Sequence, residues 1–201
     1  MDLTAVAVTF GTIFVVELPD KTFIAALVLS TRYRPLAVWL GVGLAFFAQT
    51  LIAVLAGQAA TLLPDTLVQG VSIVIFLVGA VILFRTAPVA AVQEKEQEEA
   101  YAAKAAEPRS FVKAMGASFL VLFAAEWGDL SQLLTINMVA RFDDPLSVFL
   151  GAWGALLTVS GLAVLSGRVL LRHVRLSVLH YVGSAVCLLL ATVTAYELIL
   201  R

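Results

Sequence analysis

The chain has 201 residues, 61% of them hydrophobic and only 13% charged, with a mean hydropathy of +1.00. Soluble domains are nearer half apolar and a quarter charged, so this composition defines an all-α integral membrane protein. Continuous apolar runs exclude an alternating outer-membrane barrel, and a net charge of −1 gives no reason to expect a nucleic-acid partner.

Six apolar segments reach the ~20 residues that a helix needs to cross a bilayer. They lie near 4–30, 36–58, 66–86, 110–140, 146–167 and 177–199. The first follows no basic leader region and is expected to stay as a span. RYRP at 32–35, the Pro-Asp at 64–65, FDDP at 142–145 and RHVR at 172–175 punctuate the segments. The acidic stretch 87–109, with QEKEQEEAYAAKAAEP at its centre, reads as a helix-prone, solvated linker. Cys187, the single cysteine, lies in an apolar run and reads as a packing residue.

The chain repeats itself at an offset of 109–110 residues. ELPDKT (17–22) matches EWGDLS (126–131), and LGVG…AVLAG (40–57) matches LGAW…AVLSG (150–167). Each half, 1–86 and 110–201, holds three spans. An odd number makes the second half enter from the opposite face, so the halves are expected to be inverted repeats. Ten Lys and Arg residues fall on one side and two on the other, which puts the linker in the cytoplasm and both termini outside.

Of fourteen acids, four stand deep in spans: Glu17, Asp20, Glu126 and Asp129. A charge at mid-bilayer costs at least ~2.5–3.5 kcal/mol, so four of them at matching places point to function. Glu17 and Asp20 share a helix face at i, i+3; so do Glu126 and Asp129, and Gln132 extends the second face. Thr22 and Ser131 follow each Asp by two. Pro19 removes a backbone N–H, and Gly128 weakens the helix at the equivalent place, so helices 1 and 4 are expected to kink or break there. Freed carbonyls are tolerated at that depth only where they line a polar cavity. The pooled donors are all oxygen, which suits hard divalent cations such as Mg²⁺, Ca²⁺ and Mn²⁺ rather than Zn²⁺ or Cu⁺. The same acids, crowded together, would take up protons when a cation leaves. Lys21 reads either as an internal cation that competes with the metal or as a residue that snorkels or pairs with Asp20. Gln49 and Asn137 are candidate path residues; Trp39, Trp127 and Trp153 read as packing or interfacial anchors, and His173 and His180 as solvated interface residues.

These motifs resemble the Gdt-type cation/proton exchangers, a family that includes Golgi Mn²⁺/Ca²⁺ transporters and bacterial manganese exporters. Its signature is two copies of Glu-x-Gly-Asp-Lys/Arg-Ser/Thr in inverted three-span halves joined by an acidic loop, and the likeness covers essentially the whole chain. The resemblance implies metal binding by Glu17, Asp20, Glu126, Asp129, Thr22 and Ser131, with Mn²⁺ or Ca²⁺ exported from the cytoplasm across the plasma membrane against protons. It implies no permanently bound cofactor and no enzyme activity, and leaves assembly into a homo-oligomer open. Pro19 departs from the motif glycine and Leu130 from the second motif base. A passive divalent-cation channel is the alternative reading. An aspartyl protease using Asp20 and Asp129 is disfavoured, because neither Asp sits in the expected Gly-x-Gly-Asp setting.

Overall fold

The computed structural model of the chain describes residues 1–18, 20–104, 110–173 and 176–200; the side chains at 65, 91, 94, 104, 166–173 and 176 lie outside the description. Pro19, expected to break the first helix, and the His173 side chain therefore fall outside the described residues. The described chain is helical, with no strand among the described residues.

Four of the expected spans are single long helices: α3 (Pro35–Ala60), α4 (Asp65–Thr86), α8 (Pro145–His173) and α9 (Leu176–Ile199). Each carries a stretch apolar and long enough to cross a membrane. The two motif-bearing segments are each divided. The first is α1 (Leu3–Glu17) followed by α2 (Lys21–Arg32); the fourth is α6 (Phe111–Ala125) followed by α7 (Leu130–Phe142). α6 and α7 bend by 74° at their junction and together count as a fifth membrane-capable element. One short 3₁₀ turn, Ala87–Val89, leads from α4 into α5 (Ala90–Lys104).

Local chemistry sets the boundaries. Pro35 and Pro145 open α3 and α8, where a missing N–H costs nothing. The Asp2 carboxylate accepts from Thr4 N–H and the Ser110 hydroxyl from Lys113 N–H, capping α1 and α6. α7 ends as Asp143 enters the left-handed region at φ 50°. Large apolar side chains such as Leu55 and Leu165 stay exposed on the outside and suit a lipid environment.

The packing partners exchange when the halves are swapped. α1 lies on α8 as α6 lies on α3, α2 lies on α8 as α7 lies on α3, and α3–α8 and α4–α9 are pairs that map onto themselves. The closest approaches carry the same correspondence. A methyl built on Gly41 of α3 would stand 2.2 Å from the Met115 carbonyl oxygen and 3.1 Å from Ser118 Cβ. On Gly151 of α8 it would stand 2.6 Å from the Val6 carbonyl oxygen and 3.0 Å from Thr9 Cβ. Gly41 and Gly151 are the paired glycines of the repeat, and they bring backbones together as small residues do between membrane helices. Gly41→Ala is expected to lower the thermal midpoint in detergent, by the ~1–3 kcal/mol typical of overpacking, while Gly11→Ala, with nothing within 4 Å, leaves it unchanged or raises it slightly. Trp39 Nε1 donates to the Leu157 carbonyl and Trp153 Nε1 to that of Gly43, at 3.1 Å each, fastening α3 to α8 as packing anchors.

One segment departs from expectation. The linker reads as solvated, yet α5 packs against α2 and also touches α9. Its Tyr101 is only 7% exposed and joins the main core, and Ala90 is buried. The polar composition hides one apolar face, which is the physical reason for the mismatch.

Candidate functional site

The two breaks meet. One carboxylate oxygen from each of Glu17, Asp20, Glu126 and Asp129 lies within 4.8 Å of all the others. Oxygens on opposite sides of a Ca²⁺ stand ~4.6–5.2 Å apart, so one coordination sphere spans the group. Glu17 and Glu126 are buried, at 1% and 2% exposure, and the two Asp residues are partly so.

The broken helices explain this placement. Glu17 ends α1 and Glu126 follows the last residue of α6, so the C-terminal, carbonyl-bearing ends of both helices point at the cluster. Asp20 and Asp129 are the N-cap residues of α2 and α7. The Asp129 carboxylate accepts from Leu130 N–H at 2.8 Å. Helix N-termini stabilise the aspartates and helix C-termini favour a cation, so the backbone itself is polarised for this cluster. Gly128 makes the second break possible: it adopts φ 72°, a conformation that costs a residue with a Cβ ~1–2 kcal/mol.

The halves also bind crosswise. Thr22 Oγ1 donates to Glu126 Oε1 at 2.7 Å, and Ser131 lies beside the Glu17 carboxylate. Lys21, read from the sequence either as an internal cation or as a residue that snorkels or pairs with Asp20, forms an ion pair across the repeat, with Nζ 3.6 Å from Asp129 Oδ2. The outer oxygens Glu17 Oε2 and Glu126 Oε2 are buried with no hydrogen-bond partner. Orphaned carboxylate oxygens at this depth are costly unless a proton or a cation meets them.

Other candidates stand around the break. Gln132 presents its Oε1 to Gly128 N–H at 3.0 Å and so closes the turn at the second break. Gln49 donates from Nε2 to the Phe123 carbonyl at 2.8 Å, meeting a carbonyl that the end of α6 frees. Asn137 lies two turns along α7 from the break and donates to Ser72 Oγ; both are buried. It lines a polar cavity of about 670 Å³ at the far end of α7. Trp127 is 59% exposed.

His180, expected at a solvated interface, is buried at 8% exposure and lines a small pocket with Asp20 and Lys21. The signal was available in the run His180, Ser184, Cys187, Ala191, Thr194. Its 4-3-4-3 spacing marks one helix face, and all five are buried. Tyr101 carries a similar signal, as the one aromatic residue of the 87–109 stretch.

Two broken apolar helices that bring four carboxylates and a lysine together inside a membrane-capable bundle define an ion-handling membrane transporter. The family model described as "Divalent cation/proton antiporter GDT1" matches residues 5–90 and 114–200. The chain therefore belongs to the GDT1 family of divalent cation/proton antiporters, and is a transporter rather than an enzyme. It is 30% identical to a GDT1-like protein of Synechocystis, covering 96% of this chain and 97% of that one. It is 29% identical to a protein of Vibrio cholerae named as a candidate manganese exporter, covering 96% and 92%. An Arabidopsis thaliana relative, named as a chloroplastic PAM71 homologue, is 29% identical over 93% of this chain, which spans 58% of that protein's length. No solved structure matches the chain.

Proposed function

We propose that this protein exports Mn²⁺ from the cytoplasm across the plasma membrane in exchange for protons, with Ca²⁺ as the alternative cargo. The observation that carries the reading is the four-carboxylate cluster, with all its members within 4.8 Å of one another and two members drawn from each motif. Glu17, Asp20, Glu126 and Asp129 hold the ion, Thr22 and Ser131 stand next to it, and Gln132, Gln49 and Gly128 keep the broken helices open. Carboxylate and hydroxyl oxygens suit Mn²⁺ and Ca²⁺ alike. The name of the Vibrio relative favours manganese.

Charge couples the two substrates. Lys21 neutralises one of four carboxylates and a divalent ion two more. When the ion leaves, the acids repel one another in a poorly solvated site, and protons must replace it. The exchange of packing partners between the halves supports six crossings arranged as two inverted three-helix repeats, 1–86 and 110–201. In that arrangement each half can rock against the other around a fixed site. The Lys and Arg bias supports a cytoplasmic 87–109 linker with both termini outside.

The test is transport by purified protein in proteoliposomes carrying an internal pH dye. Mn²⁺ uptake is expected to move protons the other way and to accelerate when a pH gradient is imposed. Mn²⁺ flux without proton movement, at conductances resolved as single channels, would replace the antiporter with the channel. Parallel Ca²⁺ assays set the ion preference.

A further inference from the structure

Two cavities lie along the broken helices, one at the far end of α7 and one beside Asp20 and Lys21, and they share part of a correspondence between the halves. The larger, about 670 Å³, lies among the C-terminal end of α7 (Asn137, Arg141), the start of α4 (Gln69, Ser72) and the end of α9 (Thr194, Glu197). Swapping the halves turns α7 into α2, the start of α4 into the start of α9, and the end of α9 into the end of α4. The smaller cavity, about 130 Å³, is lined by the corresponding parts of α9 and α4 (His180, Leu83 and Thr86), and by the start of α2, Lys21 and Ile24, where the larger one has the end of α7. One further element is present there and has no counterpart opposite. It is α5, whose Gln93 and Gln97 complete the lining.

α5 is seated in that vestibule. It packs on α2 directly beyond the first break and touches α9, and it buries Tyr101 to 7% exposure. Burial first, then the nearby charge of Glu126, push the Tyr101 phenol up to about 12, so the ring lies within electrostatic reach of the acids. Ile24, on the α2 wall of the pocket, is 2% exposed.

We propose that α5 is the gate on its own side of the cation site, with Tyr101 as its seal: the linker helix narrows the pocket that holds Asp20 and Lys21, while the cavity at Asn137 carries no such cover among the described residues. The proposal rests on the exchange reading above. For the cation to reach Glu17 and Asp20 from this side, α5 must swing off α2. The loss of Tyr101 burial sets the cost of that opening.

The experiment measures how fast a bulky, membrane-impermeant maleimide labels Ile24→Cys in detergent, in a Cys187→Ala background, with and without Tyr101→Ala. Labelling is expected to be slow with Tyr101 present and ~10-fold faster or more without it, the change that a ~1.4 kcal/mol shift in an opening equilibrium gives. Gln69→Cys, in the open cavity, serves as control and is expected to label at one rate in both backgrounds. Equal Ile24→Cys rates with and without Tyr101 overturn the gate; so does an equal acceleration at Gln69, which means general loosening. If Ile24→Cys fails to fold, Leu83→Cys on the α4 wall takes its place. Thermal stabilisation by Mn²⁺ alone is recorded in parallel: its absence from the parent protein overturns the cation site, while its presence with unchanged labelling overturns only the gate.

Discussion

Glu126→Gln is expected to stop exchange while leaving the fold intact. The amide oxygen can still accept from Thr22 Oγ1, which now donates to Glu126 Oε1 at 2.7 Å, so the cross-link between the halves survives. What disappears is a negative charge on a group only 2% exposed, one of whose oxygens has no other partner. Without metal, the variant is expected to melt at or above the parent temperature, because burying a charge costs more than burying an amide. With Mn²⁺ the order reverses. Stabilisation by a bound ion follows RT ln(1 + [L]/Kd), ~2.7 kcal/mol at a hundred times Kd, and most of that gain is lost with the ligand charge. Losing a group that merely supports a metal ligand costs ~10–100-fold in affinity or activity, so losing a ligand is expected to lower Mn²⁺-driven proton movement at least as far. Glu17→Gln, its counterpart in the first motif, is expected to behave the same way. Normal transport by either variant would remove the cluster from the pathway. A melting point that falls in both the metal-free and the metal-bound protein would make the acid structural.

The sequence reveals the acids more clearly than their surroundings. Glu17, Asp20, Glu126 and Asp129 stand out because charge is expensive in an apolar span and because the repeat shows each pair twice. The broken helix at Gly128 is legible for a related reason, since glycine tolerates φ 72° where other residues do not. The partners of Gln49 and Gln132 are not legible. Both side chains bond backbone groups around the α6–α7 break, at Phe123 and Gly128, and which groups a break frees depends on where it falls and how sharply it bends. α5 is hidden more deeply. Its composition is that of a solvated helix, and only the lone Tyr101 hints at a buried face. That face exists because α2 and α9 leave a vestibule for it, a consequence of tertiary packing that no local pattern encodes. Proximity to a basic loop predicts an exposed His180, whereas the 4-3-4-3 run of small and polar residues on α9 points it inward.

Lys21→Met is expected to tighten Mn²⁺ binding ~10-fold and to slow turnover. Lys21 has no counterpart. At the matching place Leu130 packs its methyl groups against Gly79, 3.0 and 3.1 Å from where a Cβ on that glycine would sit, with Cys187 alongside. An apolar contact thus occupies the position where the family motif carries a second base, and the whole compensating charge falls on Lys21. Its Nζ is 3.6 Å from Asp129 Oδ2, so an ion among the acids would sit only a few ångströms from an ammonium. Two unit charges 4 Å apart interact by ~4 kcal/mol at the effective dielectric of a partly exposed protein site. The Lys21 side chain is 30% exposed, so screening removes much of that, and a residual ~1.4 kcal/mol gives the tenfold change in Kd. Methionine keeps the length and apolar stem and removes only the charge. The metal-free protein loses its one internal cation and is expected to melt earlier, so the Mn²⁺-dependent rise in melting temperature grows from both ends. Turnover is expected to fall because an ion held more tightly leaves more slowly. If Lys21→Met binds Mn²⁺ with an unchanged Kd, the lysine acts only as a strut between α2 and α7, and the acids alone must set the coupling ratio.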